Sequence, residues 1–241
     1  MHEQPTRIHS GHRIRNIILT AVISPFALIL ALLVVSFVMS IFSRSDRIKQ
    51  GDYSLQGTSA PATTEYTNAQ KILTEGTNNY FLGSKEPVLT IVQFSDFACP
   101  FCKASFPGIR EMGLKYNDKV KIIFRDWPGH TYSLPLATGA YCAGEQGKFW
   151  EMHDKLFQNQ SDTFGSDKNQ IAVLAQQLGI YNEQFQKCFD SKKYIPQIRQ
   201  NFVDSETLGV KGTPTWFFNG QKVEGAISSD TLEQIIQEFL K

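Results

Sequence analysis

The sequence predicts an α/β domain with an inserted block of helices, set behind an apolar N-terminal helix. Three observations carry this. Residues 16–43 contain no charged side chain. The remainder orders its elements as β-α-β, then helices alone, then β-β-α. Two cysteines, Cys99 and Cys102, stand where the first strand of that pattern gives way to a helix.

The chain has 241 residues, 41% hydrophobic and 20% charged, with a net charge of +1. Such balance argues against a broad basic surface for DNA or RNA and against an acidic disordered tail. Four cysteines are too few for a disulfide-stapled miniature scaffold.

Residues 17–42 are read as a transmembrane helix. At about 1.5 Å per residue the run exceeds a hydrocarbon core of roughly 30 Å. Pro25 is tolerated in such a helix. A buried core helix and a cleaved signal peptide are the alternatives; the second normally carries an apolar region of only about 7 to 15 residues. Arg7, Arg13 and Arg15 before the run balance Arg44, Arg47 and Lys49 after it, so flanking charge leaves the orientation open. Residues 1–16 then form a short tail, and the polar, turn-rich residues 43–68 a flexible linker.

Residues 69–241 make one domain of ordinary size. A short helix is expected over 69–77 and a β-branched strand over 88–94. A helix follows over 99–116, bent near Pro107, then a strand over 120–125. Residues 135–159 read as helical, in two pieces broken near Gly147. Three more helices are expected over 170–178, 182–189 and 194–208. Asn219-Gly220 signals a hairpin between strands 215–218 and 221–223. A last helix covers 230–240, with Ser228, Ser229 or Asp230 as its cap. This is the thioredoxin order, with helices over about 131–210 inserted.

Cys99-Pro100-Phe101-Cys102 opens a helix directly after a strand. A thiol there meets free backbone N–H groups and the positive end of the helix dipole, which favour thiolate. Two cysteines on one first turn can close an accessible, easily reduced disulfide. The same spacing is half of a zinc site, yet Cys142 and Cys188 form no second such motif, and His153 is the one nearby candidate ligand. Thr213-Pro214 stands just before the hairpin, where a proline fits if it is cis and enters the strand. An ordinary turn proline is the plainer reading of that residue alone. His2, His9, His12 and His130 carry little signal, and Asn159-Gln160-Ser161 matches a glycosylation triplet that is common by chance.

Together VLTIVQFSDFACPFC, AYCAGEQGKFWEMHDKLF, FQKCFD and GVKGTPTWFFNG resemble the DsbA family of extracytoplasmic thiol–disulfide oxidoreductases, from about Tyr80 to the C-terminus. The resemblance implies a thioredoxin-like fold with an inserted α-helical subdomain. It implies that Cys99 is an exposed nucleophile, Cys102 a buried resolving thiol, and Pro100 and Phe101 tuners of the Cys99 thiolate. Thr213 and Pro214 become the cis-proline loop that contacts substrate backbone. Two positions depart from the pattern. Phe101 stands where strongly oxidising relatives often carry His, so thiolate stabilisation rests on the helix terminus and a milder oxidant is expected. Gln93 stands six residues before Cys99, where many thioredoxin-fold enzymes bury a carboxylate, and it cannot act as a base. Asp96 is the nearest substitute, expected at the exposed end of the strand as a turn or cap residue.

Cys142 and Cys188 lie 46 residues apart in the inserted helices. A structural disulfide between them is expected in the oxidising compartment that the first pair implies, against the alternative of two reduced, buried hydrophobes. The expected activity is disulfide formation in reduced secreted polypeptides. The expected setting is a single-pass cell-membrane protein with residues 1–16 as a cytoplasmic tail and its domain on the periplasmic or extracellular side. Reoxidation would fall to a membrane partner resembling DsbB or a vitamin-K-epoxide-reductase-like protein, with no metal and no organic cofactor. An isomerase or reductase kept reduced by a membrane donor, and a non-catalytic binding module or chaperone, are the alternatives.

Overall fold

The computed structural model describes residues 29, 32, 33, 35, 36, 67–160 and 168–241. Of the expected span 17–42, Ile29, Leu32, Leu33, Val35 and Ser36 are described, all helical and exposed. The rest of that span, the tail 1–16 and linker residues 43–66 lie outside the described residues. No helix among the described residues is long and apolar enough to cross a membrane.

The unit that contains the cysteines begins with α1 (Asn68–Glu75). Its start is a capping box: Thr67 accepts from the Gln70 backbone N–H, and the Gln70 side chain takes the Thr67 N–H. Gly76, at φ +64°, ends it. Then come β1 (Phe81–Gly83), β2 (Leu89–Ser95), α2 (Pro100–Lys115) and β3 (Val120–Asp126). The inserted helices are α3 (Ser133–Gly144), α4 (Phe149–Gln158), α5 (Lys168–Gln177), α6 (Asn182–Ser191) and α7 (Ile195–Thr207). The chain closes with β4 (Thr215–Phe218), β5 (Gln221–Glu224) and α8 (Ser229–Phe239), the last capped by Ser228.

The five strands lie in the order β1-β3-β2-β4-β5, with β2 and β3 parallel and the other pairs antiparallel. All seven residues of β2 are buried, because both sheet faces are covered. That explains its continuous apolar run, where a half-exposed strand would alternate. One face meets the large core that holds Ile91, Phe124, Ile109 and Trp216; the other packs Val92, Phe94, Ile123 and Phe217 on Val210. The three-residue β1, absent from the sequence reading, adds an edge to β3. Gly83 there cannot be replaced without distortion, since a Cβ would sit 2.1 Å from the Val120 carbonyl oxygen.

Pro107 lies inside α2 without ending it. The expected break near Gly147 is present: Gly147 takes φ +73° between α3 and α4. Asn219 and Gly220 both have positive φ, as the hairpin requires. Cys142 on α3 and Cys188 on α6 form a disulfide with a Cα separation of 5.7 Å. It clips two inserted helices together.

Beside the sheet, Arg125 is 1% exposed yet fully engaged. It donates to the carbonyls of Leu73 and Thr74 in α1, to Asn201 Oδ1 and to Asp204 in α7. Its guanidinium also stacks on Phe94. A buried cation needs such pairing.

Candidate active site

The C-terminal ends of β2 and β3 and the start of β4 meet at one end of the sheet. This brings Asp96–Cys102, Trp127–Ser133 and Gly212–Pro214 together. Cys99 caps α2 in an extended conformation, with Pro100 in the first turn, where a missing N–H costs nothing. The Thr213–Pro214 peptide is cis. The Cys99 thiol donates to the Thr213 carbonyl at 3.3 Å. Cys99 and Cys102 are both free thiols.

The two sulfurs differ sharply. Cys99 is lowered from the ordinary 9.0 to about 5. The main cause is a hydrogen bond from Cys102; the Thr213 side chain and the N–H groups of Cys102 and Phe101 add to it, against partial desolvation. Thiolate stabilisation therefore does not rest on the helix terminus alone, as the absence of His at position 101 had suggested. Cys102, 0% exposed, is pushed far up, first by burial and then by the neighbouring Cys99. The Ser95 hydroxyl and the Asp96 backbone pull it the other way.

Two expectations need correction. Cys99, expected to be exposed, is only 4% exposed, because the Thr213–Pro214 loop closes over it. Pro100 and Phe101 are the exposed residues of the motif, Phe101 at 64%. Asp96, expected at an exposed strand end, is buried. Its carboxylate accepts from the N–H groups of Ala98 (2.9 Å) and Gly129 (3.0 Å) and from the Ser133 hydroxyl (2.7 Å), and it meets His130 Nδ1 at 2.6 Å. Asp96 thus ties the cysteine loop to the loop after β3. His130, given no role from sequence, belongs to the site through this contact.

Gln93 is buried as expected of its position, and neither of its amide atoms has a partner. Gln160, seen in the sequence only as part of a glycosylation triplet, donates to the carbonyls of Phe97 (2.6 Å) and Cys99 (3.1 Å). It braces the backbone ahead of the nucleophilic sulfur. A hollow of about 480 Å³ opens beside Pro100, lined by Phe97, Tyr132, Leu136 and Leu156 with His130 and Gln160. His153 is a packing residue: it is fully buried among Phe97, Phe124, Trp150 and Phe157, and burial lowers its pKa. Chemically, a stabilised thiolate three residues from a buried thiol, under a cis-proline loop, is arranged for thiol–disulfide exchange.

Comparison with known proteins agrees with this architecture. The family profile described as thioredoxin matches residues 75–238. The Na(+)/H(+) antiporter NhaA 3 of Salinispora tropica is 31% identical over 157 residues, covering 64% of this chain and 24% of that protein. NhaA 1 of Mycolicibacterium vanbaalenii is 30% identical over 168 residues, covering 68% and 27%. The chain therefore spans about a quarter of the length of these curated relatives. Among solved structures, the thiol-disulfide exchange protein α-DsbA2 of Wolbachia pipientis superposes with a TM-score of 0.64 at 22% identity, over 72% of this chain and 93% of that one. A periplasmic thioredoxin-like protein of Salmonella enterica serovar Typhimurium superposes at 0.57 with 27% identity, over 72% and 97%. With its sheet order, its cis-proline loop and a profile match over more than half its length, this chain belongs to the thioredoxin family.

Proposed function

We propose that this protein is a thiol–disulfide oxidoreductase of DsbA-like type that forms disulfides in extracytoplasmic polypeptides. One observation carries the reading: the Cys99 sulfur caps the N-terminus of α2 under the cis Thr213–Pro214 loop, where hydrogen bonds from Cys102 and the adjacent N–H groups lower its pKa to about 5. A stable thiolate is a good leaving group and favours the dithiol form, so the disulfide form gives up its bond readily. A substrate thiolate attacks Cys99 Sγ of the Cys99–Cys102 disulfide, and Cys102 leaves. A second substrate thiolate attacks the substrate sulfur of the mixed disulfide, and Cys99 leaves as thiolate. Two electrons pass to the enzyme, which becomes a dithiol.

In this reading the Thr213–Pro214 loop pairs with the substrate backbone, and Pro100 and Phe101 shape the approach to Cys99. Residues 17–42 anchor the chain in the cell membrane, with the domain on the periplasmic or extracellular side. A quinone-linked membrane partner resembling DsbB or a vitamin-K-epoxide-reductase-like protein withdraws the electrons. The test is a glutathione titration of the full chain, read with the redox state of Cys99 and Cys102 in cells. A disulfide in cells and loss of reduced-ribonuclease oxidation in Cys99→Ser are expected. A dithiol in cells would favour the reductase or isomerase direction; an intact phenotype in Cys99→Ser would favour a binding module.

A further inference from the structure

Cys102 must gain a proton when it leaves a disulfide and lose it when it attacks one. It is 0% exposed, so water does not reach it directly. Gln93 cannot accept a proton. Asp96 is already engaged by Ala98, Gly129, His130 and Ser133. Among the described residues the other buried carboxylate is Asp126, which ends β3 and lies level with Ser95 in the parallel register. Asp126 is 2% exposed and Ser95 1%. Both line one small cleft with Asp96 and Ser133, too narrow to hold a water molecule. The Ser95 hydroxyl is buried without a hydrogen-bond partner, and its influence pulls the Cys102 thiol's pKa down against burial.

We propose that Asp126 stores the proton of Cys102, exchanging it through the Ser95 hydroxyl. This deepens the redox reading above and rests on it. When substrate thiolate opens the Cys99–Cys102 disulfide, the Cys102 thiolate takes a proton from Ser95, which takes one from the Asp126 carboxyl. When a mixed disulfide at Cys99 is resolved by Cys102, the proton returns by the same route as the new S–S bond forms. No electrons move in either transfer, and one proton is conserved between the two groups.

The surroundings suit a group that gains and loses a proton near neutrality. Burial raises Asp126 to about 7; hydrogen bonds from Tyr141 of α3 and Asn201 of α7 lower it, the Asp96 charge raises it, and Arg125 lowers it. Arg125 is itself paired with Asp204 of α7, and Asp96 faces His130. Asp126 acts through Ser95, so it is a positioning residue for the proton.

The test is the reaction of the reduced full-length chain with 5,5′-dithiobis(2-nitrobenzoate). Cys99 releases the first thionitrobenzoate, and Cys102 releases the second as it closes the disulfide. In the wild type the second phase should rise with pH through about 7, as the base ionises. In Asp126→Asn it should slow at least about tenfold at pH 8 relative to the first phase and lose the inflection. Asp126→Glu should restore the inflection, and Ser95→Ala should slow the same phase. A folded Asp126→Asn chain that keeps both the rate and the inflection overturns the proposal. If that variant does not fold, Ser95→Ala decides: an unchanged second phase overturns the proposal. A wild-type chain that releases no thionitrobenzoate overturns the redox reading, and this one with it.

Discussion

Replacing Cys102 by Ala removes the main support of the Cys99 thiolate. A hydrogen bond to a charged group contributes about 1.5–3 kcal/mol. At about 1.4 kcal/mol per pKa unit this corresponds to roughly one to two units. Cys99 should therefore move up from about 5 to roughly 6–7. At pH 5 the thiolate fraction falls from about one half to between about 1 and 10%, and alkylation by iodoacetamide should slow by roughly 5- to 50-fold. The assay is thiolate absorbance at 240 nm against pH, with the alkylation rate as a second readout. Cys102→Ser keeps a donor at the same place and should sit between the two. A Cys102→Ala chain that is folded by circular dichroism and still titrates within about 0.3 units of the wild type would refute the reasoning.

Three further outcomes follow from the geometry. In the dithiol form Cys99 is depressed from 9.0 to about 5, so its stabilisation is complete above the unfolded value and absent below about pH 5. Urea unfolding should show the dithiol gaining on the disulfide form by about 1.4 kcal/mol per pH unit between those limits, on the order of 3 kcal/mol at pH 7. Cys142→Ala with Cys188→Ala opens a 46-residue loop and should cost about 4 kcal/mol by chain entropy, read as a lower urea midpoint. Arg125→Met leaves Asp204 and the carbonyls of Leu73 and Thr74 without their cation, and unfolding should show a loss of about 3–5 kcal/mol.

The fold was legible where physics acts locally. VLTIVQF is apolar throughout because both faces of β2 are covered, and Asn219-Gly220 takes the positive φ values its hairpin needs. The strand β1 was not legible: three residues carry no period, and only their pairing with β3 makes them a strand. At the site, the two-cysteine motif and the cis proline stand out by type and spacing. Asp96 misled, because its burial is set by Gly129, His130 and Ser133, which the chain delivers from beyond β3. The sequence reading ended β3 at Arg125 and so passed over Asp126, whose setting depends on Ser95, Tyr141 and Asn201 from three other elements.

Arg125 has a mechanical consequence. The chain enters the sheet-bearing unit through α1, and the guanidinium grips that helix by two of its carbonyls while also holding Asp204 on α7. The Glu75–Lys121 ion pair, at 3.6 Å, adds a second hold on the same helix. Traction applied ahead of Thr67 is thus taken up by charged contacts before it reaches β1. The load arrives on β3 one residue from Asp126, so a pull on the chain is felt next to the cysteines and not at the far edge of the sheet.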